Sequence, residues 1–297
     1  MLFLDEEQVR QHLRMEELIP AMEKALRDFS AGKVIQPVRS GITVDPPGGF
    51  FFMMPAFAEG LGVKIVTFYP SNAERGIPTH MATIFLVDPE TGAPLAVLDG
   101  RLITEMRTAA VSAVATKLLA PPDAQVLAIL GSGVQARSHS EALPLVRNFE
   151  EVRVWSRTPA HAERFAEEIG AKAMSSEAAV RDADVIVTAT SSKTPVLKGS
   201  WLKPGCHVNA VGACRPDWRE LDDEVMANVV FVDSREGAMK ESGDIILSGA
   251  KIHAEIGEAL AGKVNPRAHE STIFKSLGMA VEDISAAMLV YRSATAK

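Results

Sequence analysis

The stretch Val126-Leu127-Ala128-Ile129-Leu130-Gly131-Ser132-Gly133-Val134-Gln135-Ala136 joins a wholly apolar strand to a glycine-rich turn and the start of a helix. This order predicts a dinucleotide cradle. Gly131 permits the tight turn, Gly133 lets the backbone approach a pyrophosphate with no Cβ in the way, and Ala136 is small enough for the helix to pack on the strand. The pyrophosphate then rests on the positive end of the helix, which makes Gly131, Ser132, Gly133, Val134 and Gln135 candidate cofactor-binding residues. Ordinary strand-turn-helix units also carry such glycines, so the surrounding sequence has to support the reading.

Working outward, the next strand of such a unit ends about 20 residues on, where a carboxylate grips the ribose of NAD. The chain reads Val152-Arg153-Val154-Trp155-Ser156-Arg157-Thr158 there and offers no carboxylate. Arg157, between the hydroxyls of Ser156 and Thr158, presents a guanidinium fork and short donors to a phosphate on that ribose, so NADPH is the expected cofactor. The alternative for these three residues is a solvated turn capping the helix that starts at Pro159.

Farther along, a helix near Pro159 to Ile169 and strands at Val185 to Thr190, His207 to Val211 and Val229 to Val232 continue the alternation and predict a twisted, mostly parallel sheet. The residues before it read differently. A helix is expected from Met15 to Ser30, with Leu18, Ile19, Met22, Leu26 and Phe29 on one stripe and Gly32 just past its end. Strands follow at Phe50 to Met54, Val63 to Tyr69, Met81 to Val87 and Leu95 to Leu98, an antiparallel α+β pattern. An alanine-rich helix from Ile103 to Leu119 stops at Pro121-Pro122, which predicts a boundary at that point. A last amphipathic helix, Ser276 to Tyr291, resembles the helix before the prolines and is expected to return to the first domain.

At 297 residues the chain exceeds the size at which a single core stops growing, so two domains are expected. Its 47% hydrophobic and 23% charged residues fit a soluble globular protein, and no stretch approaches the roughly 20 apolar residues of a membrane span. The start, Met1-Leu2-Phe3-Leu4-Asp5-Glu6-Glu7, lacks the basic flank of a signal peptide, so a cytoplasmic protein is expected. A net charge of −7 gives nucleic acid no basic face to bind. Were the segment between Cys206 and Cys214 a strand, it would hold the thiols about 27 Å apart, and unpaired thiols fit a reducing compartment. The histidines and cysteines show no metal-ligand spacing, and no metal is expected.

Three cations sit where a plain core would not put them. Lys64 interrupts the apolar run Val63-Lys64-Ile65-Val66, and Arg107 lies on the helical stripe of Ile103, Ala110, Val111 and Val114. Arg39, in Gln36-Pro37-Val38-Arg39-Ser40, is less exceptional by pattern. A buried cation needs an anionic partner, and a substrate carboxylate, which arginine clamps with paired hydrogen bonds, is one candidate. The alternatives are an internal salt bridge to Glu105 or Asp99, or a side chain that snorkels to water.

Taken with the stretch Gly212-Ala213-Cys214-Arg215-Pro216-Asp217-Trp218-Arg219-Glu220-Leu221, these features resemble the ornithine cyclodeaminase/mu-crystallin family. The resemblance runs through Gln36 to Arg39, Lys64 to Tyr69, Arg107-Thr108-Ala109-Ala110, Lys240-Glu241-Ser242-Gly243-Asp244 and Phe274 to Asp283, nearly the whole chain. It implies an α/β protein in which a Rossmann-type doubly wound parallel sheet is inserted into an α+β domain for substrate binding and dimerisation. The implied domains are residues 1–120 plus 279–297 for substrate and dimer, and 121–278 for NADP(H). Arg39, Lys64 and Arg107 match residues that hold the substrate carboxylate, and Glu241 matches a residue facing the pocket, so Lys64, Arg107 and Glu241 are the catalytic candidates. Thr79, His80, Arg107, Ser132 to Gln135, Ser156 to Thr158, Thr188, Val211, Ser276 and Leu277 match positions close to the cofactor.

One departure separates branches of that family. Cyclodeaminases carry an aspartate at the position matching Cys214, and a thiol does not replace that charge near neutral pH unless its pKa is strongly lowered. The expected activity is therefore NADPH-dependent reduction of a cyclic ketimine carboxylate, of piperideine or pyrroline type, to the cyclic amino acid. Cys214 and Trp218 are expected to line the substrate pocket, Cys214 as a small wall residue because hydride transfer needs no covalent intermediate. The expected partners are this small imine and a second copy of the chain, with neither nucleic acid nor membrane. Amino-acid dehydrogenation, imine reduction that forms N-alkyl amino acids, and cyclodeamination stay open. So does a non-catalytic, NADPH-dependent binder of a thyroid-hormone-like ligand, with Trp218 and Phe68 as an aromatic wall.

Overall fold

Alternating side chains build the sheet of the first unit. A computed structural model describes residues 1–264 and 270–296, and contacts divide the chain into Met1–Arg107 with Met279 onward, and Thr108–Gly278. The first unit holds strands β1 (Leu2–Leu4), β2 (Ser40–Val44), β3 (Gly49–Phe57), β4 (Leu61–Phe68), β5 (His80–Val87) and β6 (Pro94–Asp99), in the order β1-β6-β5-β4-β3-β2. Neighbours from β2 to β6 are antiparallel, while β1 pairs parallel with β6 through Phe3 and Val97. The expected antiparallel region is corrected at that edge: parallel pairing needs a long connection, and the helices and four strands between β1 and β6 supply it.

Inward-pointing Met54, Ala56, Val66, Ile84, Leu86, Ala96 and Leu98 are buried, with Lys64 in the same layer. One helix covers this face and a second packs on that helix. Met15–Ser30 forms as its apolar stripe predicts, and Ala280–Thr295 packs on it and on β3, β4 and β5. On the other face Met53, Ile65 and Met81 are exposed, with Ile65 directly opposite Met53.

The second unit holds β7 (Val126–Leu130), β8 (Glu151–Trp155), β9 (Lys172–Ala173), β10 (Val185–Thr188), β11 (His207–Ala210), β12 (Val229–Val232), β13 (Ile252–Glu255) and β14 (Thr272–Lys275). Every pairing is parallel, in the order β13-β12-β14-β11-β10-β7-β8-β9. Such strands are buried on both faces and read as continuous apolar runs, as β7 and β10 do. From β7 the chain proceeds first to β8 on one side and later to β10 on the other, so the carboxyl end of β7 is a topological switch point, where ligands of this architecture bind.

Two boundaries differ from expectation. The division between units falls inside the helix Gly100–Leu119, before Pro121-Pro122. Its second half joins the Rossmann sheet because Ser112 Oγ meets His139 Nε2 at 2.8 Å and Thr116 Oγ1 accepts from Asn209 Nδ2 at 2.8 Å. The last helix begins at Ala280, not Ser276. Asp233 Oδ2 accepts the Leu277 and Gly278 amides at 2.6 and 2.8 Å, and Gly278 has a left-handed φ of +81°, which a helix cannot use. Between the cysteines only His207–Ala210 is strand; both thiols are free, Cys206 buried and Cys214 exposed.

Candidate functional site

In the second unit the cradle forms where the sequence places it. The Gly131 amide bonds to the Trp155 carbonyl at 2.8 Å, and a Cβ on Gly131, whose φ is +135°, would strike the Ala189 carbonyl. Gly133 differs: a Cβ there would meet nothing within 4 Å, and the helix Val134–Ala142 that follows has no side-chain cap on its amides. Ser132 Oγ and Ser156 Oγ lie 2.9 Å apart and tie the loop to the end of β8. Arg137 Nη1 donates to the Ser132 carbonyl at 2.7 Å while Glu168 holds its other edge. Arg157 and Thr158 are exposed, and Thr158 precedes the Pro159–Ile169 helix without a side-chain capping bond. Gln135 Oε1 and Ser276 Oγ are buried polar atoms without a protein partner. Open space at Gly133, an uncapped helix start and two unanswered oxygens fit a dinucleotide.

Thr188 and Val211 stand at the carboxyl ends of β10 and β11, but the Thr188 hydroxyl is engaged: it donates to Glu220 Oε2 at 2.9 Å. Glu220 Oε1 accepts from the amide and the hydroxyl of Thr190, both at 2.6 Å, which ends β10 two residues earlier than the apolar run predicts. Burial pushes the Glu220 carboxyl up from its ordinary pKa, against the pull of Lys275 and the Thr190 donors. Beyond β11, Ala213 has a φ of +52°, unusual for a residue with a side chain. Cys214 is exposed and Trp218 half-buried, with Lys193 Nζ 5.4 Å from its ring centre. Glu241 closes the helix Arg235–Glu241, half-buried.

In the first unit the cations expected to be buried are buried, Lys64 2% and Arg107 4% exposed. Their partners are neither Glu105, which pairs with Arg101, nor Asp99, which accepts the Leu102 amide. Lys64 Nζ forms an ion pair with Asp283 Oδ2 at 2.6 Å and a long contact of 3.5 Å with Thr104 Oγ1. Arg107 donates through Nε to Asp283 Oδ1 at 2.9 Å and through Nη1 to Glu282 Oε2. Both acids lie in the first turn of the Ala280–Thr295 helix. Burial, with Arg107 and Arg39 nearby, lowers Lys64 to a pKa of about 8 despite the opposing charge of Asp283. Burial and the charges of Lys64 and Arg107 hold His80 near 4, so its ring is neutral. Arg39 and Thr79 are half-buried, and the Thr79 carbonyl accepts the Tyr69 amide at 2.8 Å. Phe68 stacks on Phe50 with centroids 6.4 Å apart, so its ring packs within the sheet.

The ornithine cyclodeaminase/mu-crystallin family model matches residues 1–297. The chain belongs to that family. Within it, the ketimine reductase mu-crystallin of Mus musculus is 52% identical over 302 residues, with 98% of this chain and 96% of the relative covered. Among solved structures, the Delta(1)-pyrroline-2-carboxylate reductase of Thermococcus litoralis, in complex with NADH and L-proline, is 40% identical with a TM-score of 0.94, covering 99% of this chain and 97% of that one. An archaeal alanine dehydrogenase dimer with bound NAD is 35% identical, also at a TM-score of 0.94, covering 99% and 96%.

The sequence reading missed two sets of residues in this family member. Glu282 and Asp283 look like ordinary acids favoring a helix start, and nothing local says that they face Lys64 and Arg107. Glu220, Asp244 and Lys275 lie in three separate segments that only the parallel sheet brings together. A buried lysine at the end of the apolar strand Thr272–Lys275 was the one available signal.

Proposed function

We propose that this protein is an NADPH-dependent reductase of cyclic ketimine carboxylates. The observation that carries the reading is the cluster in which one buried lysine, with a pKa near 8, shares Asp283 with the guanidinium of Arg107. The two acids fix the plane of Arg107 before any ligand arrives, the pre-organisation that a small carboxylate needs. Arg39, Lys64 and Arg107 hold the substrate carboxylate, and Cys214 and Trp218 contribute walls. Lys64 as its ammonium donates a proton to the imine nitrogen, which makes the adjacent carbon more electrophilic; its pKa, lowered to about 8, suits it to that step. Neutral His80 adds no positive charge that would oppose the protonated imine. When bound, the reduced nicotinamide supplies the hydride. Gly131 to Gln135, Ser276 and Leu277 hold the dinucleotide, and Ser156, Arg157 and Thr158 favor its phosphorylated form. Glu241 serves as a polar wall residue.

The relatives named above support this class: one reduces ketimines, and another is a pyrroline-2-carboxylate reductase. The test is oxidation of NADPH with piperideine-2-carboxylate and pyrroline-2-carboxylate, beside ornithine with NAD and pyruvate with ammonia. Turnover of the cyclic imines is expected. Turnover of ornithine or pyruvate alone overturns the reading, and tight NADPH binding without turnover favors the ligand-binding alternative.

The protein acts as a homodimer in the same proposal. The outer face of the first sheet carries exposed Met53, Ile65 and Met81, a surface that water disfavors, and an archaeal relative is a dimer. Sedimentation equilibrium is expected to give twice the chain mass, and Ile65→Glu to shift it toward one.

A further inference from the structure

We propose that Lys275, Asp244 and Glu220 form a positioning cluster that sets the path of the loop Gly212–Arg219 and thereby the ring size the pocket accepts. The geometry runs through main-chain atoms. Lys275 Nζ donates to the Gly212 carbonyl at the start of the loop and pairs with Asp244 Oδ2 at 3.0 Å. Asp244 Oδ1 accepts the amides of Glu220 and Leu221, at 2.8 and 3.0 Å, where the loop ends. Glu220 returns to β10 through its bonds with Thr190 and Thr188. Both ends of the loop are therefore fixed by one cluster whose charged members are 0% exposed.

The middle of the loop is held as closely. The Arg215 carbonyl accepts the amides of Trp218 at 3.1 Å and Gly243 at 3.0 Å, and a Cβ on Gly243 would collide with the Trp218 carbonyl. A Cβ on Gly212 would collide with the Glu220 carboxylate. Ala213 keeps its left-handed φ of +52° inside this frame; such a conformation persists only where the surroundings over-determine it, and it collects at functional sites. The loop leaves the carboxyl end of β11, the edge on which ligands of such sheets bind. Burying these charges gives little net stability by itself, so a geometric role accounts for them better than a stabilising one.

The step from loop path to ring size rests on the reductase reading above, so the test has one arm that needs no substrate. In Asp244→Asn, which keeps the size of the side chain and removes its charge, amide hydrogen exchange of residues 213–221 is expected to quicken about tenfold or more while β7 and β11 keep their protection. The ratio of kcat/KM for the pyrroline and piperideine carboxylates is expected to move by about tenfold, since one methylene in a fitted pocket is worth roughly 10- to 200-fold. Exchange that quickens throughout the sheet, or a loop and ratio that both stay as in the wild type, overturns the proposal. If Asp244→Asn does not fold, Thr190→Val, which removes one hydroxyl and no charge, is read by the same two measurements. A wild type that reduces neither ring removes the reductase reading, and the exchange arm still decides whether the cluster holds the loop.

Discussion

Each unit buries a lysine beside an aspartate, yet the two pairs are embedded differently. Lys275 and Asp244 both bind main-chain atoms, the Gly212 carbonyl and the Glu220 and Leu221 amides. Lys64 meets side chains, Asp283 and Thr104, and Asp283 is shared with Arg107. A charge bound to backbone is committed to one geometry, because releasing it leaves a buried amide or carbonyl unsatisfied. A charge held by other side chains can re-pair when an anion arrives. In the reading proposed above, similar residue pairs thus supply a frame in one unit and a reactive center in the other.

The largest expected effect tests the reactive pair. Lys64→Met is expected to lower kcat/KM for the imine by about 10²- to 10⁴-fold, the range for loss of a general acid, with the affinity for NADPH, measured by nucleotide fluorescence, little changed. In the wild type the ammonium predominates below its pKa of about 8, so kcat/KM is expected to fall as pH rises through that value. Undiminished turnover in Lys64→Met breaks the contrast, for Lys64 would then be framework as well.

A second measurement sharpens the framework side. His207 bonds Thr272 and Asn209, His139 bonds Ser112 and the Gln135 carbonyl, and burial depresses their pKa values to about 3 and about 4. Both are neutral when folded and take up a proton near 6.5 when unfolded, so stability is complete above that pH and is lost as pH falls toward the folded values. Between pH 6.5 and pH 5 the loss is about 2 kcal/mol per histidine, readable as a falling urea midpoint. His139→Gln is expected to remove about half of that dependence, and an unchanged slope would show that these rings do not couple to folding.

The smallest effect lies at the exposed edge of the second unit, where no framework constrains the side chain. Arg157→Ala is expected to weaken NADPH by about tenfold and NADH hardly at all, the worth of one or two charged hydrogen bonds. Equal losses for both nucleotides would mean that Arg157 does not read the phosphate.

Much of this contrast was legible in the chain, and unevenly so. Val126 to Ala136 announces its unit because a strand buried on both faces and a glycine turn leave few other readings. Lys64 was visible as a cation breaking an apolar strand, and its burial follows from the period of that strand. Its counter-ion was not visible: Asp283 sits on a helix that returns to the unit after the entire inserted sheet, where an acid in a first turn has an adequate local explanation. Edge strands β1 and β9, of three and two residues, are too short for period to register. Glu220 and Asp244 read as loop acids, since sequence carries no mark of which amide a carboxylate will bind.

The Ala280–Thr295 helix also sets an order of events during synthesis. Arg107 precedes Asp283 by 176 residues, which a ribosome takes about 10 to 35 s to add. For that interval the nascent chain carries Lys64 and Arg107 without the carboxylates that neutralise them. The inserted sheet is then already translated, so Lys64 and Arg107 meet their counter-ions only after the whole second unit has been made.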